Sequence, residues 1–419
     1  MPGNNNPNRV PRQKTLADFF NASVRRTLHK PNTTTNEPPT QRQDNATMNP
    51  PKTQPPPARL QPRRPRQQPP RGRTFAQQTM ANNNSNGRNA AATQSSQPWG
   101  NTLQIPIDET KIIRFYYQSV NGLKLHNECA DVKVSCQQLY ERQATVIGLS
   151  EMKVEWKHHW ATNSVYRALS QTWSHLKWSK STSEIFFKKA FKPGGTCTIV
   201  NGPLSSRVSN KDTDPYGLGR WSSLAIDGRN KRKITAITAY CPPKQTINNA
   251  GPFTSFFQQF HQLRSSGSKN PRPIVQFYDD LEQHTITLQA KGNEIVLMMD
   301  ANELLTNRGS KLKDLASTCN LTSVHEHLHA DLPPPATYSR GSSKIVFILI
   351  SENLLPACRR CGIEPLHAGI VSDYLALFMD LDQVVALQSP LNTIAPASGR
   401  VLQCSKDKFV EKYIEALDQ

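Results

Sequence analysis

The runs EIVLMMDA (residues 294–301) and KIVFILIS (residues 344–351) are apolar at every central position. Successive side chains of a strand point to opposite faces, so a strand with one wet face alternates polar and apolar residues. A run without alternation marks a strand buried on both faces, in a sheet covered by a further layer on each side. On either side of these two, IIRFYYQS (112–119), ATVIGL (144–149), TCTIVNG (196–202), RWSSLAIDG (220–228), KITAITAY (233–240) and LALFMDL (375–381) read as further strands. Between them, LHNECADVKVSCQQLYER (125–142), FTSFFQQFHQLRSS (253–266) and IVQFYDDLEQHTITLQAK (274–291) carry helical patterns. About 270 residues of this texture make one sizeable core, a layered α/β domain expected over residues 108–385. Residues 386–419 read as a linker and a helix, SKDKFVEKYIEALDQ, that stops abruptly, as in a fragment of something longer.

The first hundred residues differ in kind. They hold 16 of the 32 prolines, and 15 Lys+Arg against 3 Asp+Glu, a net of +12 out of the +19 of the whole 419-residue chain. With almost no large aliphatic residues after residue 20, this stretch cannot bury enough apolar surface to offset the entropy of ordering, and it is expected to be disordered. Its centre, ARLQPRRPRQQPPRGR (58–73), is expected to be polyproline-like, with arginines presented to phosphates. A solubilising spacer or a nuclear-import signal explains the same composition. No apolar run reaches the ~18 residues of a membrane span, and the N-terminus lacks the apolar core of a secretory signal. Eight scattered cysteines make no disulfide scaffold, so a reducing, intracellular compartment is expected, and with the basic tail a nuclear one.

Inside the tail, Gln13, Leu16, Phe19 and Phe20 are spaced so that one helical turn presents an aliphatic and two aromatic side chains as an apolar plug, with the Gln beside it. The pattern resembles the PIP box, which implies a PCNA-type sliding clamp as partner.

Three acidic or amide features sit at the ends of strands. Glu151 follows ATVIGLS, Asp300 and Asn302 close EIVLMM, and Asp373 precedes LALFMDL. Carboxylates just past buried strands project at a sheet edge, where several edges can surround one cation, although a single strand-end acid commonly just caps a turn. Magnesium takes hard oxygen ligands, usually one or two carboxylates with waters and substrate phosphate.

The order QSVNGL (118–123), GLSE (148–151), AYCPP (239–243), MDANE (299–303), YSRG (338–341) with KIVFIL (344–349), and SD (372–373) resembles the signature blocks of the endonuclease/exonuclease/phosphatase superfamily. The nearest likeness is to the apurinic-type endonucleases of non-LTR retrotransposons. The resemblance implies a four-layer, DNase I-like α/β sandwich and Mg2+- or Mn2+-dependent cleavage of a DNA phosphodiester. It makes Glu151 the principal metal ligand, with Asn121 beside it. Tyr240 would touch the scissile phosphate, Asp300 orient or deprotonate water, Asn302 hold a phosphate oxygen, and Asp373 lie near the metal and the base. Three positions depart from the pattern: Ser119 stands for an Asn, Val346 for an Asp, and Tyr374 for a His. The missing Asp and His form a pair in the family. Replacing the Asp by an apolar residue spares the strand an unpartnered carboxylate. The chemistry is not spared, because a phenol titrating near about 10 cannot replace imidazole. Impaired cleavage is therefore expected, and the alternative is a catalytically silent copy that binds clamp and nucleic acid.

Weaker signals are Cys358-Arg359-Arg360-Cys361, which lacks a second Cys pair; His325, His327 and His329, which would share one face of a strand; and Gly217-Leu218-Gly219, which lacks the third glycine of a dinucleotide loop. Trp156, Trp160, Trp173 and Trp178 with Lys157, Lys177 and Lys180 read mainly as core and helix-face residues, with stacking on DNA as the other use.

Overall fold

The computed structural model of the protein describes residues 97–125, 129–185, 191–366, 368–389, 411 and 415. The tail with its Gln13, Leu16, Phe19 and Phe20 motif, and nearly all of the C-terminal stretch, lie outside the described residues.

Two sheets face each other. The first has seven strands in the order β1 (Trp99–Gly100), β12 (Cys358–Ile363), β13 (Leu377–Asp382), β2 (Ile112–Ser119), β3 (Val146–Ser150), β5 (Thr196–Asn201), β4 (Leu176–Ser181). The second has six, in the order β10 (Leu321–Ser323), β11 (Val346–Ser351), β9 (Asn293–Asp300), β8 (Lys233–Tyr240), β7 (Trp221–Asp227), β6 (Val208–Thr213). Pairing is antiparallel except for β2 with β3 and β8 with β9. Helices α1 (Ala130–Glu141) and α2 (His159–Thr172) cover the outer face of the first sheet, and α4 (Pro273–Ala290) and α5 (Lys311–Thr318) that of the second. Three further helices are α3 (Ser255–Ser265), α6 (Val324–Leu328) and α7 (Gln383–Leu387).

The two-faced strands follow the period of two. On β9, Val296 and Met298 enter the core between the sheets while Ile295, Leu297 and Met299 pack under α4 and α5. On β11, Val346, Ile348 and Ile350 face inward and Phe347 and Leu349 outward. Gly148 marks a close approach of the sheets: a Cβ there would lie 2.8 Å from Thr238 Oγ1 and 2.9 Å from Met298 Cε. Beside it Thr198 Oγ1 donates to Thr238 Oγ1 at 2.8 Å across the interface.

Some expectations need correction. His325, His327 and His329 are not on a strand: α6 carries the first two, and His329 caps it. His325 Nε2 lies 3.1 Å from the Gly362 carbonyl and His329 Nε2 3.0 Å from that of Cys361, so the two rings buttress β12. Burial, then Lys344, holds His325 well below its usual pKa, in the neutral form. Cys358 and Cys361 sit on β12 itself, with burial pushing the Cys358 thiol up to about 12. Among the described residues no three His, Cys, Asp or Glu side chains converge on a metal position. Gly219 packs against the backbone at Thr182, and Asp214 accepts from the Tyr216 and Arg220 amides, which makes a tight structural turn and no phosphate loop. Trp156 and Trp173 are core residues, Trp160 is exposed, and Lys180 Nζ lies 4.7 Å from the Trp178 ring centre. No described helix is long and apolar enough to cross a membrane.

Candidate active site

The parallel pairs decide where the strand ends go. Ser119 is opposite Ser150 at the ends of β2 and β3, and Tyr240 is opposite Asp300 at the ends of β8 and β9. Both pairs deliver the chain to one rim of the sandwich, because the Tyr240 phenol donates to Glu151 Oε1 from the other sheet. Glu151, Tyr240 and Asp300, far apart in sequence, therefore meet between two sheets.

The backbone at this rim is unusual. Asn121, Glu151, Lys153 and Asn302 have φ of 50°, 50°, 54° and 49°, in the left-handed region. Asn tolerates this conformation, whereas Glu and Lys rarely adopt it, and such residues cost about 1–3 kcal/mol each unless their surroundings hold them. Here Met152 and Lys153 donate their amides to the carbonyls of Gly195 and Gly194 at 3.2 and 2.9 Å, and Val120 donates to Ser150 at 3.0 Å.

Around Glu151, Lys153 Nζ lies 3.4 Å from Oε2 and also donates to Asn121 Oδ1. The Asn121 amide turns its nitrogen the other way, 3.1 Å from each carboxylate oxygen of Asp373. Arg340 Nη2 approaches Asp373 at 3.5 Å. One half of the rim is thus a chain of alternating donors and acceptors.

The other half centres on Asp300, which is fully buried. Its Oδ1 accepts the Asn302 amide at 3.3 Å, and among the described residues its Oδ2 is buried without a well-formed hydrogen bond. Burial first, and the Glu151 charge second, push its pKa well up; the Asn302 amide and then the Ser119 and Tyr374 hydroxyls pull the other way. Ser119 Oγ is itself buried without a hydrogen bond. Asn302 is turned aside, its Nδ2 donating to the Cys241 carbonyl at 2.8 Å. Val346 stands opposite Asp300 on β11 and belongs to the apolar core with Tyr374. Tyr374 bridges to Tyr338, their rings 4.9 Å apart, and burial followed by Asp300 raises its phenol far above the ordinary range, so it stays protonated.

Ser372 Oγ donates to the Ser119 carbonyl at 2.7 Å and accepts from the Tyr374 amide at 3.2 Å, which ties the Asp373 loop to the end of β2. The structure thus brings Asn121, Glu151, Tyr240, Asp300 and Asp373 to one rim, with Asn302 at its edge. Sequence reasoning did not single out Lys153, since a lysine two places past a strand looks like any solvated one. Arg340 lay in a quoted block without a role.

The donor set suits a hard cation. Glu151 Oε2 and the Asn121 carbonyl both point at one positive group, and magnesium commonly needs no more than one or two protein carboxylates.

No family model and no curated protein matches the chain. Among solved structures, an AP endonuclease from Leishmania major superposes with a TM-score of 0.51 at 11% identity, covering 74% of this chain and 99% of that one. The human Nocturnin catalytic domain (TM-score 0.44, 16% identity, 64% of this chain and 93% of that one) is also similar. So is the Xenopus laevis APE2 catalytic domain (0.45, 13%, 64% and 92%). At such identity the first of these likenesses is one of fold: the described domain is a DNase I-like, four-layer α/β sandwich.

Proposed function

We propose that the domain is a divalent-metal-dependent DNA endonuclease of the retrotransposon type, working well below the rate its fold can support. The observation that carries this reading is the meeting of Glu151, Tyr240 and Asp300 across the two sheets, at the shared rim of both parallel strand pairs. Glu151 and Asn121 would hold Mg2+ or Mn2+, which when bound supplies charge to polarise a phosphoryl oxygen. Tyr240, protonated because burial and Glu151 raise its pKa, holds the Glu151 carboxylate by donation and would lie beside the scissile phosphate. Asp373, with Arg340 beside it, keeps the Asn121 amide turned so that its carbonyl faces the cation position. Asp300 offers Oδ2 as an acceptor for a water proton, and Asn302 would hold a phosphate oxygen after leaving the Cys241 carbonyl.

The weak point is the base. Among the described residues no cation pairs with Asp300 to favour its charged form, and Tyr374 cannot titrate near neutrality. A positioned base is worth roughly 10²- to 10⁴-fold in rate, so its loss alone leaves slow cleavage. The same observation supports the second reading, a silent domain that binds nucleic acid. Further parts of the proposal are a nuclear location, and docking of the Gln13, Leu16, Phe19 and Phe20 segment on a PCNA-type clamp.

Supercoiled-plasmid nicking in Mg2+ tests the main reading. The full chain should nick slowly and Glu151→Ala should not nick at all; equal rates for the two would end it, and no nicking by either would favour the silent domain. For the clamp, a peptide spanning Pro11 to Lys30 should bind PCNA, and Phe19→Ala with Phe20→Ala should abolish binding; equal binding would refute the contact.

A further inference from the structure

The cation position at Glu151 already contains a positive charge that belongs to the chain. Lys153 Nζ sits between Glu151 Oε2, at 3.4 Å, and Asn121 Oδ1, the two oxygens best disposed for a metal ion. Both side chains are largely shielded, with 23% of Lys153 and 14% of Glu151 exposed. The lysine is held there by its backbone. Its φ of 54° is in the left-handed region, its amide donates to Gly194 and its carbonyl accepts from Lys192 at 3.0 Å. Gly122, with φ of 103°, leaves the slot for the stem: a Cβ at that position would lie 3.1 Å from Lys153 Cδ. The Asn121 carboxamide is locked in the matching sense, donor side to Asp373 and acceptor side to the ammonium.

We infer that Lys153 is a tethered stand-in for the divalent cation, occupying its position when no metal is bound and having to leave before one can bind. The inference rests on the metal-dependent reading of the site. Two positive charges cannot share one carboxylate at contact distance without strong repulsion in so shielded a place. Metal entry therefore carries the added cost of breaking the Lys153 contacts. Conversely, the ammonium keeps Glu151 compensated in the metal-free protein. Lys153 thereby sets the metal concentration at which the site fills, and acts through Glu151 and Asn121 as a positioning residue.

The test is Mn2+ titration of the full chain, followed by electron paramagnetic resonance, for wild type and Lys153→Met. The variant should bind Mn2+ about 10- to 100-fold more tightly, the range of an ordinary coupling between two sites. Its thermal midpoint in EDTA should fall below that of wild type and recover when Mn2+ is added. Equal or weaker binding by the variant, with wild type still binding, overturns the stand-in role and leaves the metal site standing. Absence of Mn2+ binding in both proteins overturns both. A second measurement needs no variant: amine acylation of Lys153 in the wild type, read by mass spectrometry, should rise when Mn2+ is added. Unchanged acylation under Mn2+ saturation would likewise refute displacement.

Discussion

Two buried groups of acids lie on either side of Tyr240, and they are treated in opposite ways. On one side Arg220, wholly buried, donates to Asp214 at 2.7 and 2.9 Å and to Asp280 at 2.8 Å, while its backbone carbonyl accepts from the Tyr240 amide. Gln276 adds a bond to Asp280 at 2.8 Å, so each charge has a partner. On the other side Asp300 is just as buried, yet among the described residues it has no ion pair and one oxygen without a hydrogen bond. A carboxylate kept inside a protein is normally paired, because desolvation exceeds what the remaining interactions return. The Arg220 network obeys that rule and is structural. Asp300 departs from that pattern beside Glu151 and Tyr240, where burial pushes its carboxyl toward the neutral form, the kind of perturbed acid that collects at functional sites.

Supplying the uncompensated side with an ionisable partner should have the largest effect. Val346→Asp combined with Tyr374→His places an acid and an imidazole beside Asp300, and plasmid nicking should accelerate by roughly 10²- to 10⁴-fold. Val346→Asp alone should instead destabilise, since it sets a second unpaired acid directly across the sheet from Asp300. A wild type as fast as the double variant would show that the altered pair does not limit the rate.

Removing compensation from the other side comes next. Arg220→Met leaves Asp214 and Asp280 buried without their cation, and urea unfolding should register a loss of about 3–5 kcal/mol. A loss below about 1 kcal/mol would remove the structural distinction between the two groups.

Asp300→Asn should move stability the opposite way, with a pH signature. Burial raises the folded-state pKa of Asp300 above 3.8, so its protonated form favours folding below that pH. This contribution is lost as pH rises through the folded-state value. The variant should match wild type in acid and exceed it by roughly 1–3 kcal/mol at neutral and higher pH, the usual range for an unsatisfied buried group. A gap independent of pH would contradict the raised pKa. The smallest effect belongs to Tyr240→Phe, which deletes one hydrogen bond to Glu151 and should cost about 0.5–1.5 kcal/mol in the same unfolding measurement.

How far the sequence could be read depended on whether the signal was local. The unbroken runs at β9 and β11 announced strands covered on both faces, and their side chains do divide between the two cores. Strands β4 and β6 went unrecognised because LKWSKS and VSNKDT carry polar edge-strand patterns with no apolar run. His325 to His329 alternate in a way that a strand or a short helix satisfies equally, and only the packing of α6 against β12 selects the helix.

Which segments are two-faced strands, and that an acid stands at the end of several of them, can be read from local sequence, because periodicity and strand ends are properties of neighbouring residues. Only the packing of the two sheets settled that Tyr240 reaches Glu151, 89 residues away, that Arg220 pairs with Asp280, that Asp300 Oδ2 is buried without a hydrogen bond, and that Lys153 meets Glu151. Those outcomes depend on two sheets closing face to face, and no local pattern carries the register of one sheet against another.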